Sequence, residues 1–124
     1  MRAVTGRWPV RQSHRAQRDL EDIITWTLDQ FGRRQAEAYN RTIEKAVAAL
    51  IRGPDVLGAR SRDDIGPGLH TLHVARGGRR GRHFVLFSVE HDENGPFIQI
   101  LRFLYDGMDL AQHAPPRNPT DPET

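Results

Sequence analysis

Hydrophobic residues in this chain change period twice. From Ala16 they recur at helical spacing: Ala16, Leu20, Ile23, Ile24, Leu28 and Phe31 form one stripe. Ser13 is placed to cap the start of that helix and Gly32 to stop it. A second stripe follows at once, through Ala36, Tyr39, Ile43, Ala46, Val47 and Leu50, and Gly53-Pro54 ends it. Two helices joined by so short a turn pack antiparallel. Residues 53–68 are a polar, Gly/Pro-punctuated connection. The period then becomes two, which predicts strands over 69–76, 83–90 and 97–105. GGRRG lies between the first pair and HDENGP between the second, so the three strands form an antiparallel meander.

Residues 8–13, WPVRQS, are read as a short strand that Pro9 confines to a sheet edge or a strand start. The predicted fold is α+β: a short N-terminal strand, then an antiparallel helical hairpin packed on a mainly antiparallel sheet with a C-terminal three-stranded meander. One domain is expected over 1–113. The four prolines of residues 114–124 predict a disordered tail. The strands carry apolar side chains on both faces. In 83–90, Phe84 and Leu86 point one way while Val85, Phe87 and Val89 point the other. Either both faces are covered within the fold, or one apolar patch awaits a partner.

Composition narrows the chemistry. There is no cysteine, which removes disulfides and thiol nucleophiles. No apolar run approaches the roughly 18 residues that span a bilayer. The N-terminus lacks the apolar core of a signal peptide, so a soluble cytoplasmic protein without membrane contact is expected. Formal net charge is +2, and of 18 basic residues Lys45 is the sole lysine. Arginine's planar fork suits phosphates, carboxylates and interfaces. His70 and His73 are three apart on a strand and face opposite ways; with no further ligand set, no metal and no cofactor are expected.

Three stretches carry a resemblance. The hairpin sequence holds Asp19-Leu20, Ile23, Gly32, Ala36, Tyr39, Ile43, Leu50 and Pro54. The second stretch is Gly68-Leu69 leading into a strand, and the third is Arg102-Phe103-Leu104-Tyr105 followed by Asp109. In this order and spacing, over residues 10–113, the chain resembles the RelE/ParE superfamily of type II toxin–antitoxin toxins, and within it the ParE branch. It departs from the family pattern at Tyr105, where histidine is usual, at His70 and at Phe87. The resemblance implies a growth-inhibiting toxin neutralised by a cognate antitoxin. ParE-type members poison DNA gyrase and need no catalytic residue. RelE-type members are ribosome-dependent mRNA endonucleases.

Metal-free RNA cleavage would need a base, an acid and cations at the phosphate. Tyr105, His83 and Arg102 are the candidates for those roles. Spacing assembles no compact acid–base–arginine cluster on one sheet face, which favours the binding toxin over the enzyme. Trp26, Arg79, Arg80, Arg82, Phe87, Arg102 and Asp109 are the candidate partner-binding residues. Arg102 is expected on the same strand face as Ile98, Ile100 and Leu104, with its head paired to Asp109 or Asp106 so as to pin the strand end.

Overall fold

The structure is a computed structural model that describes residues 7–107. The predicted tail at 114–124 and Asp109 lie outside the described residues. Strand β1 (Val10–Gln12) leads into helix α1 (His14–Phe31), then helix α2 (Arg33–Ala49) and a 3-10 turn (Leu50–Arg52). Strands β2 (Arg60–Ser61), β3 (Leu69–His73), β4 (His83–Asp92) and β5 (Gly95–Tyr105) complete one sheet in the order β1-β5-β4-β3-β2. The meander is antiparallel, as the alternation predicts. Two features go beyond it. β1 pairs parallel with β5, with Val10 opposite Ile98 and Gln12 opposite Ile100. The two-residue β2 extends the far edge against β3.

Helix ends follow local chemistry. The Ser13 hydroxyl accepts the Ala16 N–H at 3.0 Å. Gly32 alone links the helices; its φ of 90° is open to glycine and strained for other residues. Its N–H donates to the Leu28 carbonyl and its own carbonyl accepts from Ala36, so one residue stops one helix and starts the next.

The hairpin covers one sheet face. Ala16, Ile43, Ala46 and Leu50 meet Leu72, Val74, Val85, Phe87, Ile98, Ile100 and Phe103 in a single buried cluster. Phe87, expected to contact a partner, is fully buried there. Its side of β4 is the side that the helices cover, and its ring stacks on His70 at 5.3 Å. The opposite face holds a smaller cluster, Leu69, Leu86 and Leu104, with Ile65, Phe84 and Leu101 packed around it. Ile65 comes from the 62–68 loop, which thus packs on this second cluster from within the fold.

β5 carries a bulge. Phe87 pairs with Ile100 and Leu86 with Arg102, which leaves Leu101 as an extra residue. The insertion reverses the alternation, so Phe103 joins Ile98 and Ile100 beneath the helices while Leu104 turns to the other cluster. Arg102 and Leu104 therefore do not share a face with Ile98 and Ile100 as a straight strand would require. Helix α1 satisfies the backbone at this kink. The Ser13 hydroxyl donates to the Leu101 carbonyl at 3.0 Å, and the Phe103 N–H donates to Asp19 at 3.1 Å.

Arg102 pairs with that same Asp19, and not with Asp106. Its Nε lies 2.7 Å from Oδ2 and its Nη2 3.2 Å from Oδ1, a two-pronged fork at a nearly buried site. The carboxylate comes from α1, 83 residues away in sequence. The arginine ties helix to sheet. Removing one partner of a buried pair strands the other. Asp19→Ala should therefore cost about 3–5 kcal/mol in urea unfolding, whereas substituting the exposed Arg15, 3.4 Å from the same carboxylate, should cost well under half as much.

Candidate functional site

Two surfaces bring together side chains of possible function: the end of the sheet beside α2, and the outer cleft of the helical hairpin.

At the sheet end, Asp106 is the hub. Its Oδ2 sits 2.9 Å from His73 Nε2 and its Oδ1 3.1 Å from Arg82 Nε. Its backbone N–H donates to the Arg82 carbonyl. His73 Nδ1 accepts the Ala75 N–H at 3.0 Å, so the ring proton lies on Nε2 and points at the carboxylate. Burial pushes the Asp106 carboxyl up, yet the bonds from His73 and Arg82 outweigh it and hold the group below the usual carboxylate range.

Beside this hub, α2 reaches the sheet through Tyr39. Its hydroxyl accepts the Arg82 backbone N–H at 3.0 Å and lies 2.7 Å from His83 Nδ1. With Arg82 supplying a proton to the oxygen, the hydroxyl donates its own to Nδ1, and His83 is the neutral Nε2–H tautomer. Burial raises the Tyr39 pKa and lowers that of His83, so each keeps the neutral form that this bond requires. The Tyr105 ring meets His83 edge-on at 5.9 Å, and the Arg82 guanidinium lies 5.2 Å from the Tyr105 ring centre.

The three candidate nuclease residues are thus divided. His83 and Tyr105 are neighbours. Arg102 lies on the same segment of β5 as Tyr105, three residues before it, but its guanidinium is held by Asp19 of α1. Arg82, the arginine that does stand near His83, is engaged by Asp106. Asp106 and Tyr39 organise this corner, and sequence spacing gave neither that role. Asp106 follows the last strand residue, and Tyr39 sits on the apolar stripe of its helix. The usable signal was the excess of polar and aromatic residues at one end of the three strands.

The second surface is a cleft of ≈ 660 Å³ along the hairpin. Leu20, Ile24, Leu28 and Ala36 form its apolar floor, and Gln17, Glu21, Arg33, Glu37 and Asn40 stand on its rim. Leu28 is 46% exposed, an unusual state for a leucine in the middle of an amphipathic stripe. The remaining candidates lie outside this cleft. Trp26, 58% exposed, meets Phe31 edge-on at 5.8 Å near the end of α1. Arg79 reaches Thr42 Oγ1 on α2 at 3.4 Å, and Arg80 is exposed.

Solved structures share this architecture. A chain of the chromosomal ParDE toxin–antitoxin system from P. aeruginosa superposes with a TM-score of 0.62 at 23% identity, covering 81% of this chain and 97% of that one. A chain of the RelBE2 toxin–antitoxin complex from Mycobacterium tuberculosis gives 0.50 at 20% identity, covering 80% and 98%. The fold is that of the RelE/ParE toxins. Sequence narrows the class. The model of the "ParE toxin of type II toxin-antitoxin system, parDE" family matches residues 10–110. Toxin ParE1 of Caulobacter vibrioides is 29% identical over 108 residues, 85% of this chain and 96% of the relative. Toxin ParE1 of Mycobacterium tuberculosis H37Rv is 30% identical over 98 residues, 79% and 89% respectively. The chain belongs to the ParE toxin family of type II toxin–antitoxin systems.

The corner chemistry sets a pH dependence. His83 and His70 both have pKa values lowered from 6.5, each chiefly by burial. In the unfolded chain they take protons near 6.5, and in the folded chain only at lower pH. Their contribution is complete above 6.5 and is lost as pH falls through the folded values. The urea midpoint should accordingly drop as pH is lowered from neutral, and the His83 imidazole should titrate below 6.5 by NMR; a midpoint above that value would refute the assignment. Tyr39→Phe leaves the Arg82 N–H and His83 Nδ1 without their partner and should cost roughly 1–3 kcal/mol.

Proposed function

We propose that this toxin arrests growth by binding DNA gyrase, the target that its ParE resemblance implies, and that it acts in the cytoplasm without a catalytic step. The observation that carries the reading is the commitment of the polar side chains to one another. Arg102 is bound by Asp19, Arg82 and His73 by Asp106, and His83 Nδ1 by Tyr39. An RNA phosphate arriving at His83 and Tyr105 would find both Arg82 and Arg102 already paired with carboxylates. A surface that binds one conformational state of a target better than the others needs none.

We further propose that the cognate antitoxin occupies the hairpin cleft. Its apolar floor and polar rim match an amphipathic helix laid in a groove with anchors at i, i+3, i+4 and i+7. Leu20, Ile24 and Leu28, at i, i+4 and i+8, present a continuous apolar row to such a helix.

Purified protein added to gyrase and relaxed plasmid should abolish supercoiling or trap cleaved DNA, and the protein encoded beside it should restore activity. Full supercoiling in the presence of excess folded protein, together with ribosome-dependent mRNA cleavage that is lost in Tyr105→Phe, would replace this reading with the RelE-type one. Ile24→Glu combined with Leu28→Glu should weaken antitoxin binding at least a hundredfold by calorimetry, because two buried anchors are worth about 1.5–3 kcal/mol each.

A further inference from the structure

Helix α2 has a flank that neither the core nor the cleft uses. Arg34, Arg41 and Lys45 are spaced seven and four residues apart, which aligns them along one side of the helix. All three are exposed. The 76–82 loop lies beside this row. Arg79 bonds Thr42, one residue on from Arg41, and the exposed Arg80 follows it in sequence. Gly81 lets the loop come so close: a Cβ there would collide with Val74 and meet the Tyr39 ring at 3.2 Å. Five cations therefore form one patch.

Among the described residues, none of the five pairs with a carboxylate. The two acids of the helix lie within one turn of the row, but each is engaged elsewhere: Glu37 pairs with Arg33 and Glu44 bonds Asn40.

We propose that this patch binds the phosphate backbone of duplex DNA. From Arg34 to Lys45 the helix rises ~16 Å, a length over which one strand of B-DNA presents about five phosphates. The chemistry of the patch selects among polyanions. A peptide partner would want an apolar anchor between the charges, and Ala38 and Ala48 are too small to provide one. Single-stranded nucleic acid would want a free aromatic platform, and Tyr39 is tied to His83 and Arg82. Duplex RNA is read through its 2′-hydroxyls, and the hydroxyl at the centre of the patch, Thr42, is already engaged by Ala38 and Arg79. Cations without readers suit a duplex backbone held irrespective of sequence. The inference stands apart from the gyrase reading, because the patch shares no residue with the cleft and the test contains no gyrase.

The test is fluorescence anisotropy of a labelled duplex of mixed sequence, titrated with the purified full chain over a range of salt concentrations. The logarithm of the binding constant should fall with log salt with a slope of about −4, as four to five phosphate contacts require. Arg41→Gln with Lys45→Gln, and separately Arg79→Gln with Arg80→Gln, should each weaken binding at least tenfold and reduce the slope by about two. Circular dichroism should be unchanged for both variants and the thermal midpoint unchanged for Arg41→Gln with Lys45→Gln, whose side chains are exposed; the Arg79 variant loses only its hydrogen bond to Thr42. Three outcomes would overturn the proposal: no binding of the duplex at low salt, a salt slope that both variants leave intact, or tighter binding of single-stranded RNA or polyglutamate than of the duplex.

Discussion

The fork between Arg102 and Asp19 holds the two layers of the molecule in register. A bulge at Leu101 breaks the ladder of β5 and frees backbone groups that a regular strand would pair. Ser13 and Asp19, six residues apart at the start of α1, satisfy the Leu101 carbonyl and the Phe103 N–H. Asp19 also binds the guanidinium in two places. Such a buried carboxylate tolerates little displacement, so α1 has one position over the sheet. Because α2 follows through a single glycine, its position is fixed as well, and Tyr39 is delivered to His83 as a result.

Charge in this protein is arranged by position more than by amount. The acids near the sheet are spent on buried or half-buried partners: Asp19 on Arg102, Asp106 on His73 and Arg82. Glu37 and Glu44 are engaged by Arg33 and Asn40. Arg34, Arg41 and Lys45 beside them have no carboxylate partner among the described residues. One helix thus presents three different surfaces: an apolar edge to the core, a mixed rim to the cleft and a cationic flank to solvent.

The helices were legible in the sequence because stripe, cap and stop are local signals. Ser13 and Gly32 do what their positions suggest. The meander was legible for the same reason, although β3 ends at His73 and the second hairpin tightens so that Asp92 pairs with Gly95. Longer-range features were not. Nothing in Val10–Gln12 states that its partner is β5 or that the pairing is parallel, and Arg60–Ser61 is too short to show a period. The bulge was invisible because FIQILRFLY carries apolar residues on both faces, so no clean alternation marks the shift. Missing it misassigned the faces of Arg102 and Leu104, and the partner on α1, Asp19, is too distant in sequence for spacing to have pointed to it. Phe87 was placed at a surface because its alternation does not say which face the hairpin covers. Of the candidate site, Tyr105 and His83 do stand together, but the residues that govern them, Asp106 and Tyr39, come from a turn and a helix.

The parallel pairing of β1 with β5 also sets the order in which the molecule can be completed. A chain emerging from the ribosome releases β1 and both helices first, yet their docking contacts lie 83 to 88 residues downstream. Until those residues emerge, the hairpin has no sheet to cover, Asp19 lacks its guanidinium and β1 has no strand beside it. Contacts of such separation carry the loop-closure cost of the whole intervening chain, which slows folding. The hairpin can therefore dock only once β5 is available, and a chain truncated before β5 lacks the strand that closes its architecture.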